Sequence, residues 1–487
     1  MAVPRGLLRG YGDRREEASF ASKPVDYIKN LTKIYGKWLK IGLVTGQACA
    51  MCLICRLVQK LTANEGDVRM VVYLTAHRDI RLSSKNNQKQ MTSFRINRLN
   101  RCDFFLFIWA IYYLQGIVYS SGGIISIGLL AINLLISASC AIKVIQWKNK
   151  PVYFKGFNPL MLMFTVYGFA LILSNPSTLY YPISGRTMAS YNYVKSIYIS
   201  LLPIYPFYYY TRKGYLTDKR LQIWGVVFLA SVTLSYFQNQ RAALAALMES
   251  GSKADEITNN SGYLFLSCLP LLVLYRKKPV MQFTALAYVM AFIVMGMKRG
   301  AIAIGVISSV YFMWQTITKS KGKTRFLFIL FSITLCVGAV FFFIHQMTTS
   351  DYMMKRIQDT MEGNSSGRDN LYTFFWNYFT ESASFIHYLI GRGANGTLEI
   401  YYNYAHNDWL EIAVNQGLLG IVVYAFYWFG FYKTWKRAKN TDAKTMIALT
   451  ILIFFAKTMF SMSYADMTYV STSAIGYALA STNKQNT

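Results

Sequence analysis

Charged residues are scarce in this chain of 487 residues: they make up 15% of it, whereas apolar residues make up 54%. A soluble domain carries about 25% charged residues, so this sequence has too few to cover a soluble surface. The apolar residues instead form uninterrupted blocks of about 17–20, the length of a membrane-spanning helix. We therefore expect an all-α polytopic membrane protein, because lipid leaves unpaired backbone groups without partners.

Acidic residues are fewer still, with 22 Asp and Glu against 51 Lys and Arg and a formal net charge of +29. Such an excess can indicate nucleic-acid binding. Here the basic residues lie between the apolar blocks, where the positive-inside rule places them. We therefore expect contact with the lipid bilayer and no nucleic-acid partner.

Motifs for metals and cofactors are also missing. The spacing of Cys49, Cys52 and Cys55 resembles part of an iron–sulfur ligand run, but no fourth cysteine or following proline completes it. The chain has no G-x-x-x-x-G-K-[ST] loop and no Asp-x-Asp pair. We predict no metal and no cofactor, and an ATP-driven pump is disfavoured.

The first 90 residues differ from the rest. Residues 1–101 hold 19 Lys and Arg against 7 Asp and Glu, and their one apolar patch, 41–55, is short. From Met91 the chain reads like the start of a membrane protein, with basic residues followed by an apolar block. We expect 1–90 to be a basic extension, either poorly ordered or a mis-assigned start.

The remaining apolar blocks predict about twelve spans. They lie at about 103–120, 123–143, 157–174, 196–211, 221–237, 261–275, 280–297, 300–318, 326–345, 417–435, 445–462 and 466–481. If both termini are cytoplasmic, all five internal cytoplasmic connections are basic, as the positive-inside rule expects. The predicted organisation is then spans 1–9 in 91–345 with an exterior loop at 238–260, a large helical periplasmic loop at 346–416, and spans 10–12 in 417–487.

Two helices are predicted within the 346–416 loop. The first follows Ser366, a possible N-cap, and has an apolar stripe at Leu371, Phe374, Phe375 and Tyr378. Such a stripe suits a helix that lies on the bilayer or closes over a site, and it suits packing on other helices equally well.

The second helix begins in "AHNDWLEIAVNQGLLG" (405–420), where Asn407 or Asp408 can cap it. His406 precedes the cap, near the positive end of the helix dipole, which favours a neutral ring that can accept a proton. A lone histidine is more often structural than catalytic, so both interpretations stay open here.

Basic residues on the predicted exterior side break the positive-inside rule. Lys298 and Arg299 lie in a tight turn between two spans, where they can bind phosphate or extend to lipid headgroups. Lys457 lies within the eleventh predicted span, where a charge is costly and indicates function, although extension to the interface explains it nearly as well. Other exterior arginines are Arg186, Arg241, Arg368 and Arg392.

Three motifs resemble the bacterial O-antigen polymerase and O-antigen ligase superfamily of polytopic glycosyltransferases. They are "NNSGYLFLSCLPLLVL" (259–274), "MKRGAIAIG" (297–305), and "SGRDNLYTFF" (366–375) followed by "IGRGANG" (390–396) and "AHNDWLEIAVNQGLLG" (405–420). The resemblance covers about 240–435 by motif and about 91–487 by topology, and it implies a GT-C-like fold. Residues 1–90 match nothing in the family, and Asn259 stands where the family has proline.

The resemblance implies a mechanism without metal. His406 is expected to be the general base, and Arg299 with Arg241 is expected to hold the diphosphate of an undecaprenyl-linked glycan donor. Lys298, Lys457 and Arg186 are further candidates for donor binding. The remaining expected substrate-binding residues are Asn260, Asn407, Arg368 and Arg392.

The acceptor stays open at this stage. A polymerase extends another lipid-linked glycan, and a ligase moves the glycan to lipid A–core or to protein. We favour the polymerase because the 346–416 loop shows no additional acceptor domain. Other polysaccharide assembly proteins are possible partners. A flippase or transporter is less favoured, because the charges lie mostly at span ends.

Overall fold

The computed structural model describes residues 101–115, 122–250, 261–296, 298–349, 358, 368–464 and 467–483. These residues belong to one compact unit, Leu99–Thr487. The predicted extension 1–90 and the predicted substrate-binding residue Asn260 lie outside the described residues.

The described chain is almost entirely helical, as the apolar blocks predict. Its helices are α1 (Arg101–Tyr113), α2 (Ile124–Gln146), α3 (Tyr153–Ser174), α4 (Tyr191–Leu201), α5 (Ile204–Arg212), α6 (Asp218–Ser250), α7 (Ser261–Leu266), α8 (Pro279–Met295), α9 (Arg299–Lys319), α10 (Gly322–Thr349), α11 (Arg368–Asn377), α12 (Phe385–Ile390), α13 (Gly396–Ile400), α14 (Asp408–Arg437), α15 (Thr441–Phe460) and α16 (Tyr469–Ser481).

Five of these helices are long and apolar enough to cross a membrane: α2, α3, the Asp218–Arg241 part of α6, α9 and α14. Their outer surfaces carry large apolar side chains, and Ile124 and Leu173 are 89% and 80% exposed. Soluble proteins rarely expose contiguous apolar patches of this kind. The protein is therefore a multi-pass membrane protein, and the number of twelve spans stays a prediction.

A small hairpin corrects the all-α prediction. Strands β1 (Thr178–Tyr181) and β2 (Arg186–Ala189) pair antiparallel, with Tyr181 opposite Arg186. They lie in a connection between predicted spans, where the backbone is free to pair across a turn. Gly185 has φ +63 in that turn, a conformation that glycine adopts without strain.

Two predicted spans are broken by proline. The span at 196–211 consists of α4 and α5, which part at Pro203, and the span at 261–275 consists of α7 and a 3-10 segment, Leu269–Tyr275, that contains Pro270. Proline lacks the N–H that an α-helix needs, and hydropathy does not register this loss. Helix α6 continues to Ser250 through alanine- and leucine-rich sequence that favours helix, so the first part of the predicted exterior connection at 238–260 is helical. Its exterior location stays a prediction.

Helix α14 bends at Gly417, which has the non-helical angles φ 67 and ψ −161. The bend divides α14 into a first half, Asp408–Gln416, and a second half, Leu418–Arg437. A Cβ on Gly417 would lie 2.5 Å from the backbone nitrogen of Gly391, and a Cβ on Gly391 would lie 2.3 Å from the backbone of Asn415. The close approach of these two backbones therefore requires glycine at both positions.

Two apolar cores position the elements. The larger core packs aromatic side chains between the long helices, and Gly156 of α3 lets the backbone of α14 approach closely at Phe426 and Tyr427. The smaller core lies beneath α11 and consists of Leu371, Phe375, Ala405 and Val414. The second core connects α11 to the start of α14, and the candidate site lies beside it.

Candidate functional site

His406 lies directly before α14, in a left-handed backbone conformation with φ 51. Left-handed residues other than glycine are uncommon, and histidine is among those that tolerate the conformation best. The hydroxyl of Tyr372 on α11 lies 3.3 Å from the carbonyl oxygen of His406 and 3.1 Å from that of Met459 at the end of α15. His406 is half-buried where three helix ends meet.

A chain of hydrogen bonds connects His406 to the hairpin. Nη2 of Arg186 in β2 donates to Oδ1 of Asn403 at 3.2 Å, and the backbone N–H of Tyr404 donates to the same oxygen at 3.0 Å. Nδ2 of Asn403 lies 3.2 Å from Nε2 of His406. The guanidinium of Arg186 also lies over the ring of Tyr404, 5.6 Å from its centroid.

The pKa of the His406 imidazole is lowered from its ordinary value. Burial is the largest cause, followed by the positive charges of Arg368, Lys298 and Arg186. These charges come from α11, from the residue before α9 and from β2, so the charges of three separate elements act on one ring. The ring is therefore neutral at neutral pH, in the direction that the sequence predicts but mainly through burial.

Asn407 caps α14. Its Oδ1 accepts hydrogen bonds from the backbone N–H groups of Trp409 at 2.9 Å and Leu410 at 3.2 Å. Of the two caps that the sequence allows, the structure uses Asn407, because Asp408 is turned inward. The predicted substrate contact of Asn407 stays a prediction.

Asp408 is fully buried and braces the bend of α14. Its Oδ2 accepts from the hydroxyl of Tyr424 at 2.6 Å, and its Oδ1 accepts from the backbone N–H of Ser463 at 2.7 Å. Lys457 on α15 interacts electrostatically with this carboxylate, and its ammonium lies 4.9 Å from the ring centroid of Tyr263. Lys457 is only 2% exposed, so extension to the membrane surface does not explain it.

Glu411 holds the segment that precedes His406. This fully buried carboxylate accepts from Oγ1 of Thr397 at 2.6 Å, from the backbone N–H of Ala405 at 2.8 Å and from Nδ2 of Asn415 at 2.9 Å. A buried carboxylate is stable only with such partners. Glu411 therefore joins α13, the 401–407 segment and α14 into one support for the histidine.

The other predicted arginines differ in their surroundings. Arg299 is the first residue of α9, follows Lys298 directly and is half-buried. Arg392 donates from Nε to Glu399 at 3.0 Å and from Nη1 to the Tyr378 hydroxyl at 3.0 Å, so it stabilises its own loop. Arg241 is exposed on α6.

Helix α11 packs on the start of α14 through two residues of its apolar stripe, whereas Phe374 of the same stripe is 37% exposed. Leu371 and Phe375 are buried against Ala405 and Val414. The predicted cap Ser366 lies outside the described residues. Among the described residues of this loop, exposed apolar side chains lie on both α11, where Trp376 is 58% exposed, and α12, where Phe385 is 76% exposed.

Two cavities border the 401–407 segment, which contains His406. A groove of about 490 Å³ is lined by aromatic, apolar and polar side chains: Tyr372, Thr373, Trp376, Asn407, Trp409, Leu410 and Met459. A second cavity of about 550 Å³ lies between the hairpin, α4 and the connection before α16, and its polar lining includes Asn192, Lys195, Ser196, Asn395, Tyr404 and Glu411. Both are large enough for one or two sugar rings.

Sequence reasoning missed the contribution of Asn403 and assigned Arg186 only a minor place. The position of Asn403, three residues before His406 in "NYAHN", is the only local signal for it. The contact to Arg186 joins residues 217 positions apart, and nothing local in the sequence indicates it.

Comparison with known proteins agrees with the resemblance. Residues 283–425 match the family model described as O-antigen ligase. This segment contains Lys298, Arg299, Arg368 and His406, whereas Arg186 lies before it. No curated protein matches the chain. This match, over residues 283–425, supports a relationship to the O-antigen ligase and polymerase superfamily.

Proposed function

We propose that the protein transfers a glycan from undecaprenyl diphosphate to an acceptor glycan at the periplasmic face of the bacterial inner membrane. The acceptor is a second lipid-linked glycan, so the protein acts as a surface-polysaccharide polymerase. Both termini are cytoplasmic in this proposal, because that orientation leaves every internal cytoplasmic connection basic.

One arrangement carries the proposal: the half-buried ring of His406 is bonded to Asn403 and through it to Arg186, and burial and the charges of Arg368, Lys298 and Arg186 lower its pKa. A neutral imidazole accepts a proton, and a group of cations binds a diphosphate. The combination suits a reaction in which a hydroxyl is deprotonated while a phosphate ester leaves. The family match supports a role as a glycan-transferring enzyme.

The proposed reaction takes place in one displacement. His406 accepts the proton of the acceptor hydroxyl, and the hydroxyl oxygen forms a bond to the anomeric carbon of the donor. The bond between that carbon and the phosphate oxygen breaks, and its electron pair leaves with the diphosphate. Arg299, Lys298 and Arg368 stabilise the charge of the leaving group, and the displacement inverts the anomeric carbon.

The groove beside α11 suits the substrate. Trp376, Trp409 and Tyr372 present aromatic surface, while Thr373 and Asn407 add polar groups. Sugar rings combine apolar C–H faces with hydroxyl rims, so a lining of this mixed kind can hold them.

The test is transfer by the purified protein in vesicles that contain a polyprenyl-diphosphate-linked repeat unit. We use His406→Asn, because asparagine also tolerates the left-handed backbone and the variant therefore removes the base with little strain. We expect a loss of about 10²-fold or more, as for removal of a general base. His387→Asn, in the same loop, is the matched control. Normal transfer by His406→Asn would remove His406 from the mechanism.

A second candidate, ligation to lipid A–core or protein, is favoured by the description of the matching family model as O-antigen ligase. The two functions leave different products in a strain that lacks the native gene. Loss of a polymerase reduces the glycan ladder to single repeat units. Loss of a ligase leaves unmodified acceptor and accumulated lipid-linked chains.

A further inference from the structure

The side-chain amide of Asn403 has only one orientation that satisfies its neighbours. Two donors, Nη2 of Arg186 and the backbone N–H of Tyr404, lie 3.2 and 3.0 Å from the same amide atom. An amide nitrogen cannot accept a hydrogen bond, so this atom must be the carbonyl oxygen. The amide nitrogen of Asn403 therefore faces His406.

This orientation determines where the proton of His406 lies. The Asn403 nitrogen is 3.2 Å from Nε2 of the ring and can only donate, so Nε2 must be the acceptor. In a neutral imidazole with an unprotonated Nε2, the proton is on Nδ1. Protonation of Nε2 would place two donors opposite each other and would break the bond.

We propose that Asn403 is a positioning residue, which fixes the Nδ1–H form of His406 and occupies the Nε2 lone pair until the acceptor hydroxyl replaces it. The second part of this proposal rests on the proposed function. Because Nδ1 already carries a proton, Nε2 is the only ring atom that can accept one. The acceptor hydroxyl must therefore take the place that the Asn403 amide holds.

Arg186 is the anchor of this arrangement. It holds the carbonyl of Asn403, and it adds its charge to those of Lys298 and Arg368 around the ring. The groups that face His406 are thus Arg186 from β2, Lys298 before α9, Arg368 from α11 and the amide of Asn403. The three charges lower the pKa of the imidazole, and the Asn403 amide opposes protonation of Nε2 because it can only donate there. The hydroxyl of Tyr372 bonds to the backbone carbonyl oxygens of His406 and Met459.

The first test measures by nuclear magnetic resonance which nitrogen of the His406 ring carries the proton. The full-length protein is labelled with ¹⁵N-histidine, and the His406 signals are assigned by their absence in His406→Asn. We expect a protonated Nδ1 and an unprotonated Nε2 in the native chain. In Asn403→Asp, which has nearly the same shape, the carboxylate accepts from the ring and the proton moves to Nε2. An Nε2–H form in the native chain would overturn the proposal.

The second test uses the pH profile of transfer. In Asn403→Ala the ring loses a donor that opposes its protonation, so the pKa of His406 should rise. The acid limb of the profile, where transfer falls as His406 becomes protonated, should therefore move to higher pH by about half to one unit, the equivalent of one hydrogen bond. Asn403→Asp should move it further. Asn370→Ala, an exposed asparagine on α11, should leave it in place. If Asn403 only supports the loop, Asn403→Ala will lower the rate of transfer without moving the acid limb, and that result would overturn the proposal.

The two proposals fail separately. The nuclear magnetic resonance result does not depend on glycan transfer, so it stands if His406 proves not to be the base. Conversely, the native chain could show the Nε2–H form while His406→Asn is inactive. That pair of results would overturn the role of Asn403 and leave the proposed function intact.

Discussion

The backbone N–H of Ser463 donates to Oδ1 of Asp408 at 2.7 Å, and this bond attaches the connection between α15 and α16 to the start of α14. The other oxygen of the same carboxylate binds the hydroxyl of Tyr424, which lies beyond the bend at Gly417. Asp408 therefore links the two halves of α14 to each other and to the neighbouring connection.

Asp408→Ala should destabilise the fold. The substitution leaves the Tyr424 hydroxyl and the Ser463 N–H buried without their acceptor, at a cost of about 1–3 kcal/mol each. The measurement is the thermal midpoint of the purified protein in detergent. Asn370→Ala, at an exposed position on α11, is the control, and Tyr424→Phe should show an intermediate loss because it removes one bond. Equal midpoints for Asp408→Ala and the control would contradict the bracing function.

Lys298→Gln and Arg368→Gln should each move the acid limb of transfer to higher pH. The positive charges lower the pKa of His406, so removal of either one raises that pKa and the ring becomes protonated earlier as the pH falls. The measurement is the pH dependence of kcat/KM. Lys439→Gln, in a connection predicted to be cytoplasmic, should not move the limb. A shift to lower pH in either variant would refute the electrostatic account.

Arg299→Ala should reduce kcat/KM for the lipid-linked donor by about 10–100-fold, the range for loss of a hydrogen bond to a charged group. Arg299→Lys should restore part of the loss, because an ammonium supplies charge without the bidentate geometry. Arg325→Ala is the matched control, since Arg325 lies on a connection predicted to face the cytoplasm. The same loss in Arg325→Ala would show that the effect does not depend on the side of the membrane.

Gly417→Ala should prevent normal folding. Its Cβ would lie 2.5–2.6 Å from the backbone of Leu389, Ile390 and Gly391, and φ +67 adds strain. Gly185→Ala isolates the strain, because Gly185 has φ +63 with no atom within 4 Å of the added Cβ. Strain alone costs about 1–2 kcal/mol. We therefore expect little Gly417→Ala protein in the membrane fraction and near-normal amounts of Gly185→Ala, and equal amounts of both would contradict the steric account.

The helices were predictable because long apolar runs have few alternatives in a bilayer. Hydropathy averages over many residues, so it did not register the breaks at Pro203 and Pro270 or the bend at Gly417. The hairpin lies outside the apolar runs and was missed for the same reason. Its turn depends on Gly185, and a single glycine in a polar connection is common in loops.

The sequence singles out candidate site residues where a basic side chain lies on the predicted exterior side, against the positive-inside rule. Lys298 and Arg368 stand out because they are basic on the predicted exterior side, and His406 stands out beside a helix cap. Asn403 does not stand out, because an asparagine in a loop needs no explanation and its partner Arg186 is distant in sequence. Likewise, only the packed structure shows that Lys457 is buried beside Asp408.

The contact between Arg186 and Asn403 has a consequence for how such chains can be recombined. Asn403 lies inside residues 283–425, the segment that matches the O-antigen ligase family model, whereas Arg186 lies before it. A chimera that exchanges only this segment receives the histidine and its amide but inherits the hairpin of a different parent. An exchanged segment that keeps this contact must therefore begin no later than β1.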